Sequence, residues 1–412
     1  MSGLLRILLL LLVPCLPLFA QPLVLPPLTG EMSGRMEWRK LAGAAPVDWR
    51  LTLLSPADGP AAMRLQLVLT APGLAAQVEV LPAAGTWRVM DGEIDLAVWL
   101  RPLAMALAID LPPDLEGSGK LRLAGEGTWR GGRPDGGLTV DLTEGRLAGG
   151  GGAWQAAPVA LSMTVGLAEG GPRLQSARLT IAAASGFGLM LEQLELTATG
   201  MDDGRVQVAQ ATARALGGRM TLAPFVFDPA VPAVTSSLEL EGLDLAELSH
   251  LLPTALSEAS GRINGQVGFD WNLAGGARAG RGELTVSADT PAALRLAPAP
   301  GFLTERVPAR IQLLPAWLGP LARWFAPENP AHGTLSDIEL GRQPLQVEQL
   351  RVELRPDGPD GARSATVMVA ARPALGGAVE RVTFTINVSG PLDQVVRLGL
   401  DDRARLNFRS GR

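Results

Sequence analysis

The sequence predicts a mainly β protein: an elongated antiparallel sheet, curled into a β-groove, with a few short helices. Three observations carry that prediction. Short segments alternate apolar and polar residues, which sends successive side chains to opposite faces of a strand. Clusters of Gly, Pro and Asp separate these segments at regular intervals. One alternating pattern also occurs twice, at Ser118–Trp129 (SGKLRLAGEGTW) and Ser260–Trp271 (SGRINGQVGFDW). Each copy opens on Gly and a cation, alternates apolar residues, and ends on Trp. Repetition at long spacing favours a sheet extended by similar strands over one closed enzyme core.

Taken in order, residues 1–20 read as a signal peptide or N-terminal anchor. Residues 21–216 read as an N-terminal β-sheet region and 217–412 as a C-terminal β-groove region. Met1–Arg6 is short and positive, Ile7–Val13 is nearly all Leu, and Gln21 follows the small Ala20, the pattern of a secretory signal. An uncleaved anchor stays open as the alternative, because Pro14 and Pro17 blur the cleavage region. Cys15 is the only cysteine, so cleavage after Ala20 leaves no disulfide and no thiol chemistry. Gln21–Gly59 is Pro-rich and reads as irregular. Strands follow around Met63–Leu69, at Val78 and Val80, and, after an Asp91-Gly92 turn, at Ile94–Leu100. More strands fall at Leu121–Thr128, Leu138–Leu142, Val159–Val165, Leu174–Ile181, Leu189–Thr197, Arg205–Ala211 and Met220–Phe227. Asp135-Gly136-Gly137, Gly149–Gly152 and Asp202-Asp203-Gly204 read as turns between them. Glycine this frequent argues against helices, since each interior Gly costs a helix about 1 kcal/mol.

Asp244 is placed to cap a short helix carrying Leu245, Leu248, Leu251 and Leu252. Strands return at Gly282–Ala288 and Leu294–Leu296. Leu313–Phe325 is a second helix candidate, with Trp317, Trp324 and Phe325 on one stripe and Pro320 dividing it. Leu345 and Val347 share one parity, whereas Leu350, Val352 and Leu354 take the other, which predicts a β-bulge near Gln349. Val382, Phe384, Ile386 and Val388 alternate in the last strand, before a short basic segment, Arg403–Arg412.

A search for chemistry finds no gathered cluster. A net charge of −5 gives no basic stripe for nucleic acid. His250 and His332 are far apart in sequence, His250 in the short helix and His332 in a Pro/Gly loop, and read as surface or packed histidines rather than metal ligands. No G-x-S-x-G elbow occurs, and Gly119-Lys120 is followed by Leu121, which rules against a phosphate loop. The expectation is therefore no catalysis, no cofactor and no metal. What remains is apolar surface, and a sheet with one apolar face must cover it, roll it up or bind something on it. Alternation alone does not separate a dry core from an open groove. By parity, the candidate lining residues are Leu121, Leu123, Leu238, Leu240, Ile263, Val267, Phe269, Val382, Phe384 and Ile386.

The C-terminal half carries a resemblance. Gly217-Gly218, Leu240-Glu241-Gly242-Leu243-Asp244-Leu245, Ser260-Gly261-Arg262-Ile263-Asn264-Gly265 and Gly280–Thr285 (GRGELT) follow one another in this order. Together they resemble the YdbH-like branch of the AsmA-like proteins, over roughly Gly217 to the C-terminus. The resemblance implies a periplasmic, membrane-associated, bridge-type lipid transfer protein that carries phospholipid between inner and outer membrane along a β-groove. The implied partners are phospholipids, the inner or outer membrane, and other periplasmic or outer-membrane proteins, with no nucleic acid. Trp317, Trp324 and Phe325 are the candidates for membrane or partner contact. The competing expectation is a non-catalytic assembly factor for outer-membrane biogenesis with a packed β core.

Overall fold

The computed structural model describes residues 30–37, 45–54, 63–106, 111–130, 133–168, 171–186, 189–251, 256–272, 276–313, 326–355 and 363–389. The described chain is mainly strand. It begins with β1 (Gly30–Met36), β2 (Val47–Leu54), β3 (Arg64–Ala71), β4 (Leu74–Leu81), β5 (Thr86–Asp95), the helix α1 (Leu96–Ala106), β6 (Glu116–Arg130) and β7 (Arg133–Gly149). It continues with β8 (Trp154–Ala168), β9 (Gly171–Gly186), β10 (Leu189–Gly200), β11 (Val206–Ala215), β12 (Gly218–Leu222), β13 (Phe225–Phe227) and β14 (Ala233–Asp244). Then come α2 (Leu245–Leu251), β15 (Leu256–Ser260), β16 (Arg262–Asn272), β17 (Gly276–Val286), β18 (Ala292–Leu296), α3 (Pro330–Glu339), β19 (Leu345–Leu354), β20 (Arg363–Pro373) and β21 (Val382–Ser389). The strands make an open antiparallel sheet, the fold class that the alternation predicts.

The chain divides into two compact units, residues 1–213 with 224–232, and residues 214–223 with 233–412. In the first unit, β1 to β10 form a plain meander in which each strand pairs with the next. In the second unit, pairing runs β12, β14, β16, β17, β19, β20, β21. There β15 pairs β18, which also pairs β19.

Several expectations are corrected. Residues 30–36 and 47–54 are strands rather than irregular chain. The prolines that suggested otherwise stand at 22, 26, 27, 46 and 56, outside both strands. The expected strand at Ile94–Leu100 ends at Asp95, and α1 takes over. Ile94, Leu96, Val98 and Leu100 alternate, but Leu96, Trp99 and Leu103 also share a helical face, and the cap decides. Asp95 Oδ1 accepts the Ala97 amide at 2.9 Å, a helix start that a strand cannot supply. Asp91-Gly92 is a bulge inside β5 and not a turn. Asp135-Gly136-Gly137 likewise lies within β7, paired across to Gly127 and its neighbours. Pro224 splits the single strand expected at Met220–Phe227 into β12 and β13. His332, expected in a loop, lies in α3, which Asn329 caps and Pro330 opens. The bulge expected near Gln349 is present, as a register shift between Val347 and Gln349. The helix candidate at Leu313–Phe325 lies outside the described residues, apart from an exposed Leu313.

Each unit builds its own core on one face of the sheet. In the first, Leu67, Leu69, Leu74, Val78, Val80, Trp87 and Ile94 pack with Trp99 of α1 and with Val165 and Leu167 of β8. That grouping joins β3 to β8 across the face, so the sheet of this unit curls. In the second, Leu245 at the start of α2 joins Leu240, Leu243 and Ile263. Ile338 of α3 is fully buried among Leu294, Leu296, Leu345, Val369, Ala371 and Val382.

Candidate functional site

Residues directly opposite in an antiparallel ladder share a face, so the registers trace continuous rows across the sheet. In the first unit one row reads Leu74, Ile94, Leu121, Leu142, Leu161, Leu179, Leu196, one aliphatic side chain from each of β4 to β10. A second reads Leu123, Val140, Met163, Ala177, Ala198. At ~4.8 Å between strands, seven strands carry the first row over roughly 29 Å. The row is not equally covered. Leu74, Ile94 and Leu142 are buried, whereas Leu121, Leu161, Leu179 and Leu196 are only half-buried. The cover comes from α1, whose Leu96 lies with Leu142, Ala156 and Val159, flanked by Leu100 and Leu103. Gly117 is what lets the helix down, because a Cβ there would meet Leu100 Cδ2 at 2.8 Å. Beside this seam a cavity of about 800 Å³ runs along Val98, Leu100 and Arg101 of α1 to Leu147 and Ala156 of the sheet.

The second unit repeats the arrangement. One row reads Leu222, Leu238, Val267, Gly282, Leu354, Ala365, Val388. A neighbouring one reads Met220, Leu240, Gly265, Leu284, Val352, Val367, Ile386. Gly265 is the low point of that row, and the side chain of Leu284 closes over it. The parity choice thus brings Leu238, Leu240, Ile263, Val267, Phe269, Val382, Phe384 and Ile386 onto one face of this unit, and Leu121 and Leu123 onto one face of the other.

Coverage sorts these residues. Leu240, Ile263 and Val382 are 6%, 3% and 7% exposed, sealed by the chain's own side chains. Phe384 meets the ring of Phe302 edge-on, with centroids 6.0 Å apart. Leu121, Leu123, Leu238, Val267 and Phe269 are half-buried and keep part of their surface toward solvent. For Ile386 the register alone is described. Trp317, Trp324 and Phe325 lie outside the described residues. Parity missed the half-open residues Leu161, Met163, Leu179 and Leu196, although they carry the same alternating signal.

The opposite face is charged and self-matched. Lys120 reaches Glu93 at 2.6 Å, Arg88 reaches Glu126 at 2.8 Å, Arg178 reaches Glu195 at 2.6 Å and Arg351 reaches Glu283 at 3.0 Å, each between neighbouring strands. Glu93 accordingly raises the Lys120 ammonium above its ordinary range, and Arg35 lowers the Asp48 carboxyl below its own. These are surface pairs and not reactive groups. Among the described residues, no group of three His, Cys, Asp or Glu is placed to hold a metal ion.

The motifs behind the resemblance meet at one corner of the second unit. Arg262 donates from Nη1 to the carbonyls of Gly217 and Gly242, at 2.8 and 2.6 Å. Asn264 Oδ1 accepts the Gly242 amide, the Asp244 amide reaches the Leu216 carbonyl, and Asp244 Oδ1 takes the Ala246 amide at the start of α2. The motif residues are therefore a clasp that turns the sheet and sets a helix on its apolar face.

An open sheet with a greasy, partly covered wall on one side and an ion-paired surface on the other defines a class of β-groove proteins. The chain belongs to the YdbH-like family, described as intermembrane phospholipid transport protein YdbH, whose profile matches residues 20–307. That match takes in the first unit's meander as well as the clasp. No curated protein and no solved structure matches the chain significantly.

Proposed function

We propose that the protein binds phospholipid acyl chains on its half-open apolar walls and helps move lipid between the inner and outer membranes. In this reading residues 1–20 export the chain to the periplasm, either as a cleaved signal or as an anchor in the inner membrane. The observation that carries the reading is the unbroken row from Leu121 through Leu142, Leu161 and Leu179 to Leu196, half-buried at four of its five members. An aliphatic wall left partly uncovered over several strands is what an acyl chain needs, at about 0.8 kcal/mol per buried CH₂. The headgroup stays in water, so the reading assigns no nucleophile, metal or cofactor. Trp317, Trp324 and Phe325 serve as a membrane or partner contact; in the sequence they follow Ile311 and Leu313, which are exposed.

The test is native mass spectrometry of purified protein, where co-purifying phospholipid is expected. Protein that is clean and takes up no fluorescent phospholipid refutes the reading. The burial of Leu240, Ile263 and Val382 favours a second reading, an assembly factor with a packed β core. Phe269→Asp separates the two. On a half-open wall it lowers lipid uptake while the protein still folds; in a sealed core it unfolds the protein.

A further inference from the structure

The described sheet has a bare edge at β1. Among the described residues β1 pairs only with β2, in an unbroken register from Gly30 opposite Leu53 to Met36 opposite Val47. No described strand lies along its other side, and most of its residues are exposed. A strand in that position presents a row of unpaired amides and carbonyls, which sheets commonly blunt with Pro, Lys or a bulge. β1, with the sequence GEMSGRM, has none of the three.

What β1 carries is matched to itself. Glu31 and Arg35 stand at equal distances on either side of Ser33. Laid antiparallel beside a second copy, with Ser33 opposite Ser33, the strand sets Glu31 of each copy against Arg35 of the other. A register moved by two residues in either direction loses both charge pairs, and one moved by a single residue exchanges the faces. Neither side chain is fully engaged by its own chain. Arg35 holds Asp48 through Nε at 2.7 Å and Nη2 at 3.3 Å, which leaves Nη1. Glu31 holds Arg50 Nε through Oε1 at 3.0 Å, which leaves Oε2. The side chains of Arg35 and Glu31 are 63% and 56% exposed. Across the join, Asp48 and Arg35 of one copy continue into Glu31 and Arg50 of the other as a run of alternating sign, and two-fold symmetry supplies that run twice.

The apolar face fits the same register. Met32 and Gly34 share that face with Leu51 and Trp49, their partners on β2. Trp49 lays its indole over Gly34, where a Cβ would meet the ring at 2.8 Å. Met32 is 59% exposed. With Ser33 opposite Ser33, Met32 stands opposite Gly34 of the second copy, and its thioether meets the indole that covers that glycine, a contact sulfur favours.

We infer that the free edge of β1 joins a second copy of this chain in a two-fold antiparallel ladder centred on Ser33. This goes beyond the lipid reading and does not depend on it. Seven residues give about 24 Å of ladder at ~3.4 Å per residue, a small interface, so the dissociation constant is expected on the order of micromolar. Sedimentation velocity of the full chain over a concentration series is expected to show monomer passing to dimer. Glu31→Lys sets cation against cation at each crossing, and Arg35→Glu sets carboxylate against carboxylate, so each variant is expected to weaken the dimer about tenfold or more. An equimolar mixture of the two variants is expected to restore it, because a cationic edge then meets an anionic one. Both positions are exposed, and circular dichroism checks that the variants fold. A second arm places Ser33→Cys in a Cys15→Ser chain. Facing Cα atoms of a ladder lie about 4.5–5.5 Å apart, within disulfide range, so mild oxidation is expected to give a covalent dimer. A wild-type chain that stays monomeric overturns the inference, as does a dimer that both reversals leave intact. So does a mixture that stays monomeric, or a Ser33→Cys chain that forms no covalent dimer. Assembly beyond the dimer overturns it too, since a two-fold ladder closes on itself.

Discussion

Glu339 offers the sharpest test of how the second unit holds its helix cover. Its side chain lies at the end of α3, only 3% exposed. One carboxylate oxygen accepts the amides of Leu303 and Thr304 at 2.9 and 3.1 Å, and the other accepts the Thr304 hydroxyl at 2.7 Å. The carboxylate therefore ties residues 303–304 to a helix that sits on Leu345, Val369 and Val382. Glu339→Ala leaves two amides and a hydroxyl without their acceptor, about 1–3 kcal/mol each where water cannot replace it. Relief of burying a charge offsets several kcal/mol of that loss. The net expectation is about 3 kcal/mol, or near 1 M in the urea midpoint for a slope of about 3 kcal/mol/M. Glu339→Gln should cost only about 1 kcal/mol, because its carbonyl can take both amides and the Thr304 hydroxyl can turn to accept from its NH₂. Hydrogen exchange across residues 299–307 should quicken in the Ala variant and hardly in Gln. Equal midpoints for wild type and Glu339→Ala, or a Gln variant as weak as Ala, would refute the reasoning. The pH dependence follows. Burial pushes the Glu339 carboxyl up, but the Thr304 hydroxyl and the amides of Leu303, Gly301 and Thr304 outweigh it, so the folded value lies below the ordinary one. A depressed carboxyl stabilises the fold above the unfolded value, about 4.3, and loses that stabilisation as pH falls through the folded value. The gap between wild type and Glu339→Gln should therefore close in acid and stay constant from neutral pH upward.

Other expectations follow from the same geometry. Asp244→Ala removes the cap of α2 and should cost about 1 kcal/mol, with Asp244→Asn restoring most of it in a thermal melt. Gly265→Ala sets a methyl against the Glu283 carbonyl and Leu284, so it should destabilise by about 1–3 kcal/mol or more; an unchanged urea midpoint would mean that the ladder gives way there. Arg262→Lys keeps the charge but not the two-carbonyl grip on Gly217 and Gly242, and should loosen amide protection at Gly242 and Asp244 ahead of the rest of the unit. Lys120→Met breaks an exposed pair with Glu93 and should leave the melting temperature unmoved, since water solvates both partners.

Much of this architecture was legible in the sequence, for definite reasons. The period of two at Leu345–Leu354 and its change of parity reported the bulge at Glu348 directly, because a strand keeps a strict two-face count. Asp244 reported α2 because a cap is local chemistry. Contacts distant in sequence account for one failure and local composition for another. Asp95 is the same cap as Asp244, but alternating Ile94, Leu96, Val98 and Leu100 hid it, and the packing of α1 beside Leu121 and Leu142 goes with the helical period that the cap starts. Asn329-Pro330 is also a helix start, obscured by Gly333 one turn later. Parity placed the candidate wall residues on common faces, but it carries no information on cover. Val382 and Val267 look alike in the sequence; Val382 is 7% exposed in a cluster with Ile338 of α3 and Phe302, whereas Val267 stays half-buried at the edge of the cluster around Leu245.

The charged outer surface has a consequence that stability measurements would miss. Lys120, Arg88, Arg178 and Arg351 each answer a carboxylate on a neighbouring strand, and a slip of one residue would swing such a charge onto the greasy side. Pairs worth little in the finished fold therefore make misaligned ladders expensive. For a chain that must seat many similar strands beside one another, the charges act as a proofreading code for alignment.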